Sequence, residues 1–206
     1  MTVTIDEFEV ADPPDAWIRA GFTVDSDAVC RVGGVRVRLV ERGSGITAWS
    51  LRGLPPAVGL VDGIPTRDSA TAPARPATHP NGVTAIDHVV VMSLDLDRTV
   101  AALAGIGVAP RRERDGELGG RRIRQVFFRF GEVIVEVVGS PETAGVGPST
   151  LWGITYVVAD IDATALFFGD RIGPVKDAVQ PGRRIATLRH RDLGMSSPTA
   201  VISASR

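Results

Sequence analysis

The chain has 206 residues, enough for one large or two small domains with a substantial core, and its 23 Lys+Arg against 24 Asp+Glu leave a formal net charge of -1. That balance offers no basic surface for nucleic acid, and no window approaches the roughly 18 unbroken apolar residues of a membrane span. Cys30 is the only cysteine, so no intramolecular disulfide can form, and MTVTIDEFEVADPP is acidic where a signal peptide starts basic and turns apolar; a cytoplasmic location is expected.

In chain order, residues 1–56 read as a worn β-α-β-β-β unit. IDEFEVA is a first strand, Asp12-Pro13-Pro14-Asp15 opens a helix that tolerates proline in its first turn, and Gly21 ends it. CRVGGVRVRLVE then reads as a hairpin about Gly33-Gly34, with Cys30 a small core residue, and GITAWSLRG as a last strand. Asp6, Glu7 and Glu9 are expected to face solvent on an edge strand. Residues 57–82, rich in Pro, Ala, Thr and Gly, read as an extended linker with one short apolar piece, Val58 to Val61, able to pack or pair. Its His79 belongs to no metal motif and is expected to be exposed.

Residues 83–140 carry the clearest pattern. IDHVVVM is a run of β-branched residues short enough for a strand. Leu96, Val100 and Leu103 then repeat at helical spacing behind Asp95, a good N-cap, with Gly105 at the end. A polar arm about Gly119-Gly120 leads into RQVFFRFG, and EVIVEVVG follows across a Phe130-Gly131-Glu132 turn. Residues 150–206 repeat the order: LWGITYVVADIDATALFFGD aligns with the earlier strand and helix so that Asp160 matches Asp95, and PTAVISAS supplies the last strand. Residues 83–206 are therefore expected to form one domain of two paired units, 83–140 and 150–206. The first copy is left to extend a sheet, cover an edge or pair with another subunit.

Two polar residues interrupt the apolar strands of the central unit. Strand alternation puts His88 on a face with Ile86 and Val90, and Glu136 on a face with Ile134 and Val138. A carboxylate within VIVEVV is costly to bury unless it is paired, hydrogen-bonded or bound to a metal. If the two strands lie side by side, imidazole and carboxylate converge. The alternatives are a satisfied strand histidine and a salt bridge from Glu136 to Arg124, Arg129 or Arg183.

The segments IDHVVVM, LDLDRTV and RQVFFRFGEVIVEVVG resemble the βαβββ unit of the vicinal oxygen chelate superfamily, which contains glyoxalase I, extradiol dioxygenases, methylmalonyl-CoA epimerase and bleomycin-resistance proteins. The resemblance implies an α+β fold of repeated βαβββ modules paired into a glyoxalase-like cup. It implies metal ligands on the first and last strands, which here are His88 and Glu136, with a divalent ion (Zn, Ni, Mn or Fe). Glu136 would then be the catalytic base of a metal-dependent lyase or isomerase acting on a small oxygenated substrate. Gln125, Trp152, Gln180 and Arg183 are the candidates for contact with that small-molecule ligand, and Gln125 or His190 for completing the metal set. The third copy argues the other way. His88 corresponds there to Gly153, and its last strand has no acid, which disfavours extradiol chemistry and favours a metal-free binding or sequestering protein of the antibiotic-resistance type. A homodimer in which two central units share one ion is a further way to complete the set.

Overall fold

The computed structural model describes residues 2–205. β1 (Thr4–Val10) leads into the short α1 (Pro14–Arg19), followed by β2 (Val29–Val32), β3 (Val35–Leu39), β4 (Ile46–Arg52), β5 (Leu60–Val61) and β6 (Ile64–Asp68). The second half runs β7 (Val83–Met92), α2 (Leu96–Gly105), β8 (Pro110–Leu118), β9 (Arg121–Phe130), β10 (Val133–Gly139), β11 (Thr150–Val158), α3 (Ile161–Phe168), β12 (Lys176–Asp177), β13 (Arg184–Thr187) and β14 (Thr199–Ser203). The helix starts are set by their caps. Asp95 accepts from the backbone N–H of Arg98, and Asp160 from those of Asp162 and Ala163.

The second-half strands form an eight-stranded sheet in the order β12-β13-β14-β11-β7-β10-β9-β8. β7 pairs parallel with β10 and β11 parallel with β14, while β7 and β11 run antiparallel at the centre. Two β-α-β-β-β units thus meet along their first strands, as the repeat implied. The fold is α+β and built of paired units.

The first half departs from the reading of one unit followed by a linker. Its sheet has the order β2-β3-β1-β4-β6-β5, in which β1 is parallel to β3 and antiparallel to β4, and β4 is parallel to β6. These are the same relations that β7, β10, β11 and β14 keep. The strand at 46–52 therefore opens a second, helix-less unit rather than closing the first, and residues read as linker complete it with β5 and β6. The signal was weak because β5 is two residues long and β6 carries Pro65, a residue that strands admit at edges and starts.

β1 is central rather than at an edge, and its acids do not face solvent freely. Asp6 is buried and ion-paired with Arg36 and Arg52; Glu7 meets Arg38 at 3.0 Å, and Glu9 meets Arg67 at 2.9 Å. Residues 71–75 run alongside as a strap, their carbonyls accepting from Arg52 at Thr71 (2.5 Å), Arg36 at Ala72 (3.1 Å) and Arg31 at Arg75 (3.2 Å). The outer face of this sheet is filled by its own charges.

The other faces of the two sheets share one core. Trp49 of β4 packs on Phe130 of β9 with ring centroids 5.7 Å apart, and Tyr156 of β11 meets Phe22 at 5.2 Å and Trp17 of α1 at 6.4 Å. Cys30 is wholly buried, and burial pushes its thiol up to about 12. Polar ties cross between the halves. Asp62, in the β5–β6 turn, accepts from Arg98 and Thr99 (2.5 Å each) and from Ser149 (2.6 Å). Burial alone would raise the Asp62 pKa, but the hydrogen bonds of Arg98, Ser149 and Thr99 and the Arg98 charge outweigh it and leave the pKa below its ordinary value. Among the described residues no helix is long and apolar enough to cross a membrane.

His79 also departs from expectation. It is buried, its Nδ1 accepting from the Thr23 backbone N–H at 3.0 Å while Nε2 stands 3.2 Å from the Arg31 carbonyl. Burial lowers its pKa below the ordinary 6.5, so the folded chain takes up a proton less readily than the unfolded chain. Its contribution to stability is complete above pH 6.5 and is lost as pH falls from there through the folded pKa. Urea titrations over that range are expected to show a steeper loss of stability for the wild type than for His79→Asn; parallel curves would contradict the assignment.

Candidate functional site

The site begins at an irregularity in β7. Along its ladder with β11, Thr155 lies opposite His88 and Tyr156 opposite Ile86, so Asp87 is an extra residue, a β-bulge. Strict alternation would have put Ile86 on the face of His88 and Val90. The bulge instead sends Ile86 into the core, 4% exposed, and sets Asp87 beside His88. Asp87 Oδ2 lies 2.8 Å from His88 Nδ1, and Oδ1 accepts from Arg183 Nη1 at 2.6 Å. Burial would raise the Asp87 pKa; the hydrogen bonds from His88 and Arg183 and their charges outweigh it, and the pKa is lowered.

Glu136 lies on the neighbouring strand β10, opposite Val90 of β7 and Phe127 of β9. The convergence expected of His88 and Glu136 is present: Nε2 and Oε2 are 3.7 Å apart, beyond hydrogen-bonding distance, with both side chains less than 15% exposed. None of the three arginines considered as partners takes Glu136. Arg124 is held by Asp115 at 2.7 Å, Arg129 by Glu132 at 3.7 Å, and Arg183 by Asp87. The partner of Glu136 Oε1 is the side-chain amide of Gln125.

Arg114 decides which way that amide points. A guanidinium can only donate, and Arg114 Nε and Nη2 lie 2.8 and 2.5 Å from Gln125 Oε1. The carbonyl oxygen is thereby committed to Arg114, and the NH₂ group is turned to Glu136. A hydrogen-bonded chain, Arg183–Asp87–His88, stands next to a second, Glu136–Gln125–Arg114, and both lie across the sheet from β13 to β8.

Beside them opens a cavity of about 330 Å³ lined by His88, Glu136, Phe127, Gln180, Arg112, Arg114, Lys176 and Asp177. Arg112 and Arg114 lie over the Phe127 ring at 4.7 and 5.9 Å from its centroid. Across Val90, a second recess of about 110 Å³ is bounded by Trp152, Gly153, Pro198 and Ala200. The expected contact residues are thus divided. Gln180 reaches the first cavity, Trp152 the second, Gln125 stands behind Glu136, and Arg183 is occupied as a support for Asp87. His190 lies in a short turn after β13 and lines neither. Sequence reading missed Asp87, Arg112, Arg114 and Lys176. A usable signal existed for two of them, since Arg112-Glu113-Arg114-Asp115 alternates bases with acids along a strand.

The residues present do not form a divalent-metal site of the expected kind. Counting back from the caps Asp95 and Asp160, His88 corresponds to Gly153, and the ladders Glu136–Val90 and Ala200–Thr155 put Ala200 where Glu136 stands. A Cβ on Gly153 would lie 2.6 Å from the Pro198 carbonyl oxygen, so the chain approaches too closely there for any side chain. Gln125 offers nitrogen rather than oxygen, and two arginines and a lysine share the cavity. Among the described residues no group of three or more His, Cys, Asp or Glu could hold a metal ion.

No family model and no curated protein matches the chain. Solved structures do. A triple mutant of 4-hydroxymandelate synthase from Streptomyces coelicolor aligns over 98% of this chain and 92% of its own, at 15% identity and a TM-score of 0.63. A catechol 2,3-dioxygenase aligns over 100% and 93% at 14% identity and a TM-score of 0.61, and an extradiol ring-cleaving dioxygenase from B. fuscum over 100% and 72% at 14% and 0.60. These are vicinal oxygen chelate proteins, and the chain has the vicinal oxygen chelate fold.

Gly153→Ala should expose the tightness of this half of the sheet. Forcing a Cβ against the Pro198 backbone is expected to cost about 1–3 kcal/mol in denaturant unfolding. An unchanged midpoint would show that β11 and the Pro198 segment have room for a side chain.

Proposed function

We propose that the chain binds or sequesters a small oxygen-bearing molecule in the cup of its second sheet, holding it directly through His88 and Glu136 without a bridging divalent ion. The observation that carries this reading is the orientation of Gln125. Arg114 fixes its oxygen, its nitrogen is spent on Glu136, and among the described residues no third His, Cys, Asp or Glu joins the pair in a group able to hold a metal ion. His88, steadied at Nδ1 by Asp87, presents Nε2 to the cavity, and Glu136 Oε2 stands beside it. A hydroxyl, amide or ammonium group of a ligand can be accepted between these two atoms, and the arginines supply donors for its carbonyl or acid oxygens. Enclosure in a polar-lined recess with one aromatic wall suits a small metabolite or antibiotic-like molecule.

A metal-dependent lyase or isomerase is the competing reading, with His88 and Glu136 as ligands and Glu136 as base. It is favoured by the 3.7 Å convergence of two ligand-type atoms. Elemental mass spectrometry of protein purified without chelator separates the two. The expected result, before and after soaking in nickel, zinc, manganese or iron(II), is substoichiometric metal that does not differ between wild type and the His88→Ala/Glu136→Ala double variant. Near-stoichiometric metal in the wild type that is lost in the variant would overturn the proposal.

A further inference from the structure

The two recesses on the outer face of the second sheet differ in chemistry. β13 contributes Ile185 to the first and Thr187 to the second, residues two apart on a strand and so on one face; β7 likewise contributes His88 and Val90. The recesses therefore adjoin, separated by the Val90 side chain.

The first is lined by three basic side chains, Arg112, Arg114 and Lys176, against two acids, Glu136 and Asp177. Alternation along β8 turns Arg112 and Arg114 to the cavity, where they lie over Phe127 and, for Arg114, on Gln125. It leaves Glu113 and Asp115 to Arg124, at 3.8 and 2.7 Å. The acids adjacent to the two arginines are thus spent elsewhere, while Asp177, next to Lys176, stays at the cavity. Of the two acids at the cavity, Glu136 already accepts from Gln125, and Asp177 is not ion-paired with any of the three basic residues; among the described residues, Arg112, Arg114 and Lys176 have no salt-bridge partner, and the basic side chains outnumber the acids. The second recess is almost wholly apolar and has Trp152 at its rim. Trp152 is 51% exposed, whereas Trp17 and Trp49 are 1% exposed. The ring stands with Val90, Pro198 and Ala200 in one apolar recess beside the basic side chains of the first cavity, a continuous patch rather than a single exposed residue.

We infer that the ligand of the cup is an amphipathic organic anion, a carboxylate or similar acid whose charged end meets Arg112, Arg114 and Lys176 and whose apolar body crosses Val90 to lie on Trp152. This deepens the proposed function and rests on it. The charged end supplies the oxygens that paired guanidinium groups recognise, and the body removes the Trp152 face from water. Discrimination follows from both ends. A small acid without the body leaves the ring exposed, and an uncharged analogue leaves the cations unpaired.

The test uses the full chain and three probes: phenylbutyrate, butyrate and phenylbutanol, with affinity read by calorimetry and by fluorescence. Trp152 is the exposed tryptophan, so its emission should shift to the blue on binding. Phenylbutyrate is expected to bind at least about tenfold more tightly than either other probe. Trp152→Ala should bring phenylbutyrate down to the level of butyrate while leaving butyrate unchanged. Arg112→Gln should weaken phenylbutyrate severalfold, part of the way toward phenylbutanol, and weaken phenylbutanol less than phenylbutyrate; equal effects on the two probes would overturn the inference. Both side chains are at the surface, and a circular dichroism spectrum and melting curve like those of the wild type verify that each variant is folded. Equal binding of phenylbutyrate and phenylbutanol, equal binding of phenylbutyrate and butyrate, or no binding of any probe overturns the inference. Each measurement is repeated with chelator. Binding abolished by chelator would instead overturn the metal-free reading on which the inference rests, so the two failures are distinguishable.

Discussion

The seam between β7 and β11 is the constraint on which the site depends. Two first strands pair antiparallel there, and the extra residue Asp87 interrupts the pairing. A bulge in a central strand would leave its polar side chain stranded; here Asp87 is taken by Arg183 from the segment entering β13 and by His88 next to it. Buried charges are tolerated when both members of the pair and their remaining hydrogen-bonding groups are satisfied, and Arg183 also donates to the Ser203 carbonyl at 2.7 Å. One ion pair thus fixes the bulge, the imidazole orientation and the edge of the cup together.

The first sheet shows the same device turned to another end. In β1, Ile5 pairs with Leu51 and Glu7 with Ser50, which leaves Asp6 as the extra residue; Ile5-Asp6-Glu7 is thus laid out like Ile86-Asp87-His88. Around Asp6, however, two arginines and the strap at 71–75 close the face, whereas Asp87 is met by one arginine and its neighbour His88 lines an open cavity. Repetition of a unit has supplied one sheet that is internally neutralised and one that keeps unpaired cations. That difference points to the second sheet as the place where a ligand is recognised.

Much of this was readable in the chain because local chemistry and tertiary structure agree. Asp95 and Asp160 cap helices, the β-branched run at 86–92 is a central strand, and Gly131 takes the positive φ that its turn requires. The misreadings have a common cause, which is pairing at long range. β5 and β6 are strands because β4 and the Asp62 contacts make them so, and His79 is buried because Thr23 and Arg31 come to it. The bulge at Asp87 is likewise invisible in a pattern that assumes unbroken alternation. His88 and Glu136 could be brought together from sequence, but the roles of Gln125 and Arg114 could not. These follow from which atom of an amide a guanidinium can engage, and that is a matter of cross-strand register.

On the proposed reading the cup binds its ligand through hydrogen bonds and basic side chains rather than through a metal held by His88 and Glu136. Nitrogen-15 NMR of the imidazoles tests it at the atom concerned. With His88 assigned by comparison with His88→Ala, its Nε2 resonance should remain in place on addition of stoichiometric zinc and move on addition of an apolar-bodied carboxylate such as phenylbutyrate. A large zinc-induced displacement of Nε2 at one equivalent, absent in Glu136→Ala, would contradict the account.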